Sequence, residues 1–177
     1  MASGNVTLLS TKFHAPRPQG SLVVRESLLQ RLDNIPAHRL VLLSAPAGFG
    51  KSTLMGAWIE RSLMPTAWLS LEARDDEIVR FLTYLVSSVS TVLPQFGADI
   101  LDALSVTPNP QVEPLMSAFV NTLSTIEHDL LIVLDDFHVI NCEEVIGAIR
   151  FLLDHGPDTL HLVLLTRPDP PFPPSRL

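Results

Sequence analysis

The stretch Ala45-Pro-Ala-Gly-Phe-Gly-Lys-Ser52 brings glycines, a lysine and a hydroxyl into the spacing G-x-x-x-x-G-K-[ST], with Ala45 in place of the first glycine. Gly48 and Gly50 can take positive φ and turn backbone N–H groups toward phosphate oxygens. A helix beginning near Lys51 adds its N-terminal dipole to that cradle. In this reading Ala45, Pro46, Ala47, Gly48, Phe49, Gly50 and Thr53 wrap a nucleotide's phosphates, Lys51 reaches the β and γ phosphates, and the Ser52 hydroxyl ligates magnesium. The plain alternative is a glycine-rich turn between a strand and a helix, with a solvated lysine.

Asp135 and Asp136 follow the uninterrupted apolar run Leu130 to Leu134. A carboxylate at the end of such a strand is costly to bury unless it meets a cation. Asp135 is therefore expected to hold magnesium, directly or through water, and Asp136 to orient or deprotonate the attacking water. An acidic pair of this kind can also begin a turn and cap a helix. Arg167 follows the next apolar run, where a guanidinium could sense a γ-phosphate; a surface arginine beside a proline-rich exit is the competing reading. Glu72 is a reserve candidate for the base, or a solvated carboxylate near a helix start. The six histidines make no metal-ligand spacing with Cys142, which disfavours zinc and leaves them as ordinary polar positions. No Asn-Lys-x-Asp guanine-reading motif occurs, which favours ATP over GTP.

Positioning these groups requires strands and helices in alternation. Leu40 to Ser44 reads as a strand, and Ser52 to Arg61 as the helix after the glycine turn. Ala67 to Leu71 reads as a second strand, with Asp75-Asp76 supplying N-cap carboxylates to a helix carrying Ile78, Phe81, Leu82, Leu85, Val86 and Val89 at helical spacing. Pro94 to Pro114 reads as turn-rich, followed by a helix on Leu115, Met116, Phe119, Val120, Leu123 and Ile126. Leu130 to Leu134 reads as a third strand covered on both faces. Asn141 and Glu144 fit a capping pair before a helix on Val145, Ile146, Ile149 and Leu152. His161 to Leu165 is the fourth strand. Such alternation implies right-handed crossovers, a parallel sheet, and ligands at the carboxyl ends of the strands.

Composition narrows the function classes. The chain has 177 residues, 46% of them hydrophobic and 18% charged, which suits one α/β domain with a large core. No apolar run approaches the ~20 residues of a membrane-spanning helix, and no secretory signal pattern is visible. A single cysteine excludes an internal disulfide and suits a reducing cytoplasm. The net charge of −7 has the wrong sign for gripping a duplex through its phosphates.

Several segments taken in order add a resemblance. Thr11-Lys12 with Pro16, Leu22-Val-Val-Arg-Glu26 with Leu29, Leu43 to Ser52, Ala67-Trp-Leu-Ser-Leu71, Val133-Leu-Asp-Asp-Phe-His138 and Leu165-Thr-Arg-Pro-Asp-Pro-Pro171 resemble the MalT-type, large ATP-binding LuxR-family transcriptional activators. The resemblance implies a three-layer α/β P-loop NTPase fold of the ASCE/STAND type, with strand order 2-3-4-1 and the fifth strand missing. It implies residues 1–38 as a lead-in with a short helix on the adenine side, and 39–177 as a core truncated at its C-terminus. Val23 to Arg25 would lie near adenine and ribose, with Val24 and Arg25 as contacts, and Arg167 would be the sensor arginine.

By the same resemblance the domain is a switch using ATP, ADP and Mg2+. It self-associates in the ATP state, and it reaches DNA only through a helix-turn-helix beyond residue 177. Truncation would leave Leu40 to Ser44 on an open sheet edge. A cytoplasmic, slowly hydrolysing ATPase is the expected function. A P-loop small-molecule kinase and a non-hydrolysing nucleotide-binding module are the alternatives, the kinase disfavoured because Pro94 to Pro114 holds no lysine or arginine for a basic lid.

Overall fold

The computed structural model describes residues 8–16, 26–107 and 109–167. Four parallel strands form the sheet: β1 (Leu40–Ser44), β2 (Thr66–Ser70), β3 (Leu130–Asp135) and β4 (Leu160–Thr166), ordered β1-β4-β3-β2. This is the order 2-3-4-1 read from the opposite edge. Among the described residues β1 is hydrogen-bonded on one side only, to β4.

Alternation along the strands divides the core. Leu130, Ile132, Leu134, Leu162 and Leu164 join the larger cluster with α3 (Ile78–Ser90), α4 (Ala98–Val106), α5 (Val112–Leu123) and α6 (Glu143–His155). Leu131, Val133, Val163 and Leu165 face the other way, toward α1 (Glu26–Leu32) and α2 (Lys51–Arg61). Both faces of β3 and β4 are thus covered, which is why these strands are apolar at successive positions. The Trp58 indole donates to Asp33 at 2.9 Å, and Arg61 pairs with Glu26 and Asp33, tying α2 to α1 and the turn after it.

The lead-in is built into this frame. Its 3-10 turn, Ser10–Phe13, packs on β2. Leu8 and Phe13 lie against the larger core and Ala15 against the smaller, so the segment crosses the β2 edge from one face to the other. Lys12 is buried there, ion-paired with Asp75 and with Glu72 at 3.5 Å, its ammonium 4.3 Å from the centre of the Tyr84 ring.

Several local expectations change. The proline-bounded stretch from Pro94 to Pro114 contains α4, because Ile100 and Leu104 stand one helical turn apart and both bury. Pro114 falls within the first turn of α5, where a missing N–H costs no helical hydrogen bond. Glu77, not Asp75 or Asp76, caps α3, accepting from the amides of Val79 and Arg80. Asp75 is instead consumed by Lys12, Arg80 and the Glu72 amide. Asn141 does not cap α6: the N-cap is Cys142, without a side-chain bond, and Asp76 accepts the amides of Asn141 and Cys142. Among the described residues no helix is long and apolar enough to cross a membrane.

Candidate functional site

The carboxyl ends of β1, β3 and β4 meet around a cleft of about 330 Å³ lined by Ala47, Gly48, Gly50, Lys51, Ser52 and Thr53 together with Asp136 and Arg167. Gly48 and Gly50 have φ of +80° and +78°. A Cβ on either would meet nothing within 4 Å, so backbone conformation, not space, calls for glycine. Gly50 caps α2 and offers no side-chain acceptor, so no cap side chain competes for the amides of the first turn.

Lys51 Nζ donates to the carbonyl of Ala45 at 2.8 Å and lies 3.4 Å from that of Pro46. These carbonyls hold the ammonium beside the cradle, and a phosphate would compete for it. Phe49, at the loop tip, is 58% exposed and does not line the cleft. Val24 and Arg25 lie outside the described residues, as does the rest of the Leu22 to Arg25 segment.

Ser52 Oγ donates to Asp135 Oδ1 at 2.9 Å, joining the phosphate loop to β3. Asp135 is only 5% exposed, and its pKa lies above the usual carboxylate value. Burial is the main cause and the charge of Asp136 adds to it, while the bonds from Ser52 and the Asp136 amide and the charge of Lys51 pull the other way. A buried carboxylate under such tension beside a hydroxyl fits the donor set of a hard divalent cation.

The tension gives a stability prediction. A raised folded-state pKa means that stability present at low pH is lost as pH rises from the ordinary value near 3.8 through the folded one. Asp135→Asn is therefore expected to match the wild-type domain in acid and to become more stable than it as pH rises toward neutrality. Thermal unfolding across pH, without metal or nucleotide, checks this; a variant less stable at pH 7 would show that the charge is already compensated.

Asp136 has φ of +58°, left-handed for a residue with a side chain. Its amide donates to Asp135 Oδ1 at 2.9 Å, and the 3-10 turn Phe137–Val139 starts directly after it. Backbone outliers of this kind concentrate at functional sites. His138, expected to be an ordinary polar position, stands here with Nδ1 3.7 Å from Asp136 Oδ1. Its pKa is lowered, first by burial, then by the charges of Arg167 and Lys51, with Asp136 opposing. His161 is also no surface histidine: it is 3% exposed, with Nδ1 2.9 Å from the His38 carbonyl. Sequence reasoning missed His138 because its neighbours in space come from three separate segments; its place two residues after Asp136 was the available signal.

Arg167 lines the cleft one residue beyond β4 and is solvent-exposed. Glu72 does not line the cleft; it pairs with Lys12 and with Arg80 at 3.0 Å, which leaves no role for it as a base there. The structure thus brings Lys51, Ser52, Asp135, Asp136 and Arg167 to one edge of the sheet.

Known proteins agree with this architecture. The chain is 32% identical over 168 residues to the HTH-type transcriptional regulator MalT of Yersinia enterocolitica, and 31% identical over 168 residues to that of Serratia proteamaculans. Each alignment covers 93% of this chain and 18% of the relative, so the chain spans under a fifth of these proteins' length. The fold is similar to the crystal structure of Cdc6p from Pyrobaculum aerophilum, with a TM-score of 0.52 and 18% identity over 88% of this chain and 41% of that one. The AAA ATPase domain profile matches residues 21–165, which takes in the glycine loop, the paired aspartates, β1 to β3 and β4 as far as Leu165, and the chain accordingly belongs to the AAA ATPase domain family.

Proposed function

We propose that this domain binds ATP with Mg2+ in the cleft and hydrolyses it slowly, as the nucleotide-dependent switch of a transcriptional regulator of the MalT kind. The observation carrying the reading is the convergence on one 330 Å³ cleft of a lysine, a serine bonded to a buried aspartate, a second aspartate and an arginine. Lys51 leaves its loop carbonyls for the β and γ phosphates, and the free amides of α2's first turn bind the phosphate oxygens. Ser52 and Asp135 hold the cation, which when bound offsets the buried carboxylate's charge and polarises the phosphates. Asp136 orients the attacking water and accepts its proton, with His138 beside it. Arg167 meets the charge on the terminal phosphate.

The regulatory half of the proposal draws on the relatives' description as HTH-type transcriptional regulators. DNA contact then belongs to their remaining length, not to this domain of net charge −7. Self-association of the ATP-loaded protein and a cytoplasmic setting are part of the same proposal.

Asp136→Asn tests the chemistry. Asparagine tolerates the left-handed backbone, so ATP affinity should stay within about twofold while hydrolysis falls about 100-fold. A single-turnover assay with terminally labelled ATP reads both. Undiminished hydrolysis would remove Asp136 from its role, and label passing to an added acceptor instead of water would favour a kinase.

A further inference from the structure

Among the described residues three buried side-chain polar atoms lack a hydrogen-bond partner: His138 Nδ1, His161 Nε2 and Thr166 Oγ1. His161 stands near the start of β4, at the far end of that strand from the cleft. The other two belong to residues close in the chain to ones that line the cleft: Thr166 precedes Arg167, and His138 stands two residues after Asp136. Thr166 is the last residue of β4, fully buried, and immediately precedes Arg167. Its carbonyl accepts the Ala45 amide at 3.3 Å and so holds the first residue of the phosphate loop.

The direction of its side chain follows from the strand. Leu162 and Leu164 face the larger core and Val163 and Leu165 the smaller, so Thr166 faces the larger. On that side the turn Phe137–Val139 packs against β4, with Phe137 in the larger core and Asp136 and His138 flanking it in the chain. Thr166 therefore bonds the loop through its carbonyl, precedes Arg167 in the chain, and turns its side chain to the face of β4 on which the aspartate turn packs.

Packing does not call for a hydroxyl here. A buried hydroxyl with no partner works against folding, and valine would fill the same space without that cost. The two unpartnered atoms at the cleft are chemically complementary, since a hydroxyl can donate to or accept from an imidazole nitrogen in either tautomer. At 3.7 Å, Asp136 Oδ1 and His138 Nδ1 are within ion-pair range but too far apart for a hydrogen bond.

We infer that Thr166 is a positioning residue for phosphate cleavage: when nucleotide fills the cleft, the turn after β3 closes on β4, the Thr166 hydroxyl bonds His138 Nδ1, and Asp136 and Arg167 are thereby fixed around the terminal phosphate. Thr166 does not line the cleft, so it acts through its neighbours and not by touching nucleotide. The inference rests on the ATP-hydrolysis reading above.

The test uses the whole chain as wild type, Thr166→Val and Thr166→Ser. Three quantities are measured: ATP affinity by calorimetry with magnesium, single-turnover hydrolysis, and thermal unfolding without nucleotide. Thr166→Val should hydrolyse at least about tenfold more slowly, bind ATP within about twofold of wild type, and unfold at the same or a higher temperature. Thr166→Ser should restore hydrolysis to within about threefold. Undiminished hydrolysis in Thr166→Val overturns the inference and leaves the ATPase reading intact. A lowered unfolding temperature, or affinity lost together with rate, assigns Thr166 a structural role and also overturns it. Wild type that binds ATP without hydrolysing it overturns the inference along with the hydrolytic half of the parent reading.

Discussion

Replacing Lys51 with alanine is expected to weaken ATP binding about 1,000-fold, or ~4 kcal/mol, since hydrogen bonds to charged groups contribute about 1.5–3 kcal/mol each and the ammonium would make two. Among the described residues no other side chain of the loop carries a positive charge. Arg167 enters from the end of β4, and the remaining loop residues offer backbone amides without a full charge. The fold should tolerate the change, because among the described residues Lys51 bonds only to the carbonyls of Ala45 and Pro46. Calorimetric titration with Mg-ATP, beside an unfolding curve close to wild type, reads the result. Unchanged affinity would reject the phosphate-cradle assignment of the whole Ala45 to Ser52 loop.

Asp75→Ala is expected to be the most damaging substitution to stability outside the hydrophobic core. Asp75 is fully buried and accepts from Lys12, from Arg80 Nε at 2.9 Å and from the Glu72 amide at 2.9 Å. Removing it leaves the Lys12 ammonium in a site with under a tenth of its surface exposed, with Glu72 at 3.5 Å as its remaining carboxylate. Breaking a buried pair from one side costs about 3–5 kcal/mol, which for a domain of this size lowers Tm by about 10 °C.

The second substitution Lys12→Met separates the causes. Added to Asp75→Ala, it should recover part of the loss by removing the unpaired charge. Failure to recover any would mean that the damage comes from the broken turn at Glu72 to Asp75. As a comparison, Glu77→Ala removes only the cap of α3 and should cost about 1 kcal/mol. The pair matters to the site indirectly. Lys12 fastens the lead-in over β2, and β2 aligns the neighbouring strand that carries Asp135, with Ser70 in register with it.

Some of the side chains at and beside the cleft are committed to partners in the structure and others are not. Lys51 sits on its own loop, Asp136 and His138 are 3.7 Å apart, and among the described residues Thr166 Oγ1 and His138 Nδ1 are buried without a hydrogen-bond partner. Ser52 and Asp135, by contrast, are already joined. On the proposed reading, the pair that would hold the cation is joined in this structure, whereas Lys51 would have to exchange its carbonyl partners for phosphate.

Local chemistry made much of this legible from the residues alone. Two glycines before a lysine and a serine specify a turn with positive φ opening a helix, and an apolar run closed by two aspartates specifies a buried strand with a charged end. The alternation of such segments gave four parallel strands, and the related fold gave their order. What the sequence could not give were partnerships between residues far apart in the chain. Lys12 with Asp75, Asp76 with the amides before α6, Thr166 facing the turn that holds His138, and α4 within a proline-bounded stretch all depend on which surfaces meet after the sheet forms. Propensity and spacing act over a few residues, whereas the burial of a charge or a hydroxyl is decided by packing between elements tens of residues apart; tertiary structure alone therefore settled which polar groups are paired and which are left without a partner beside the cleft.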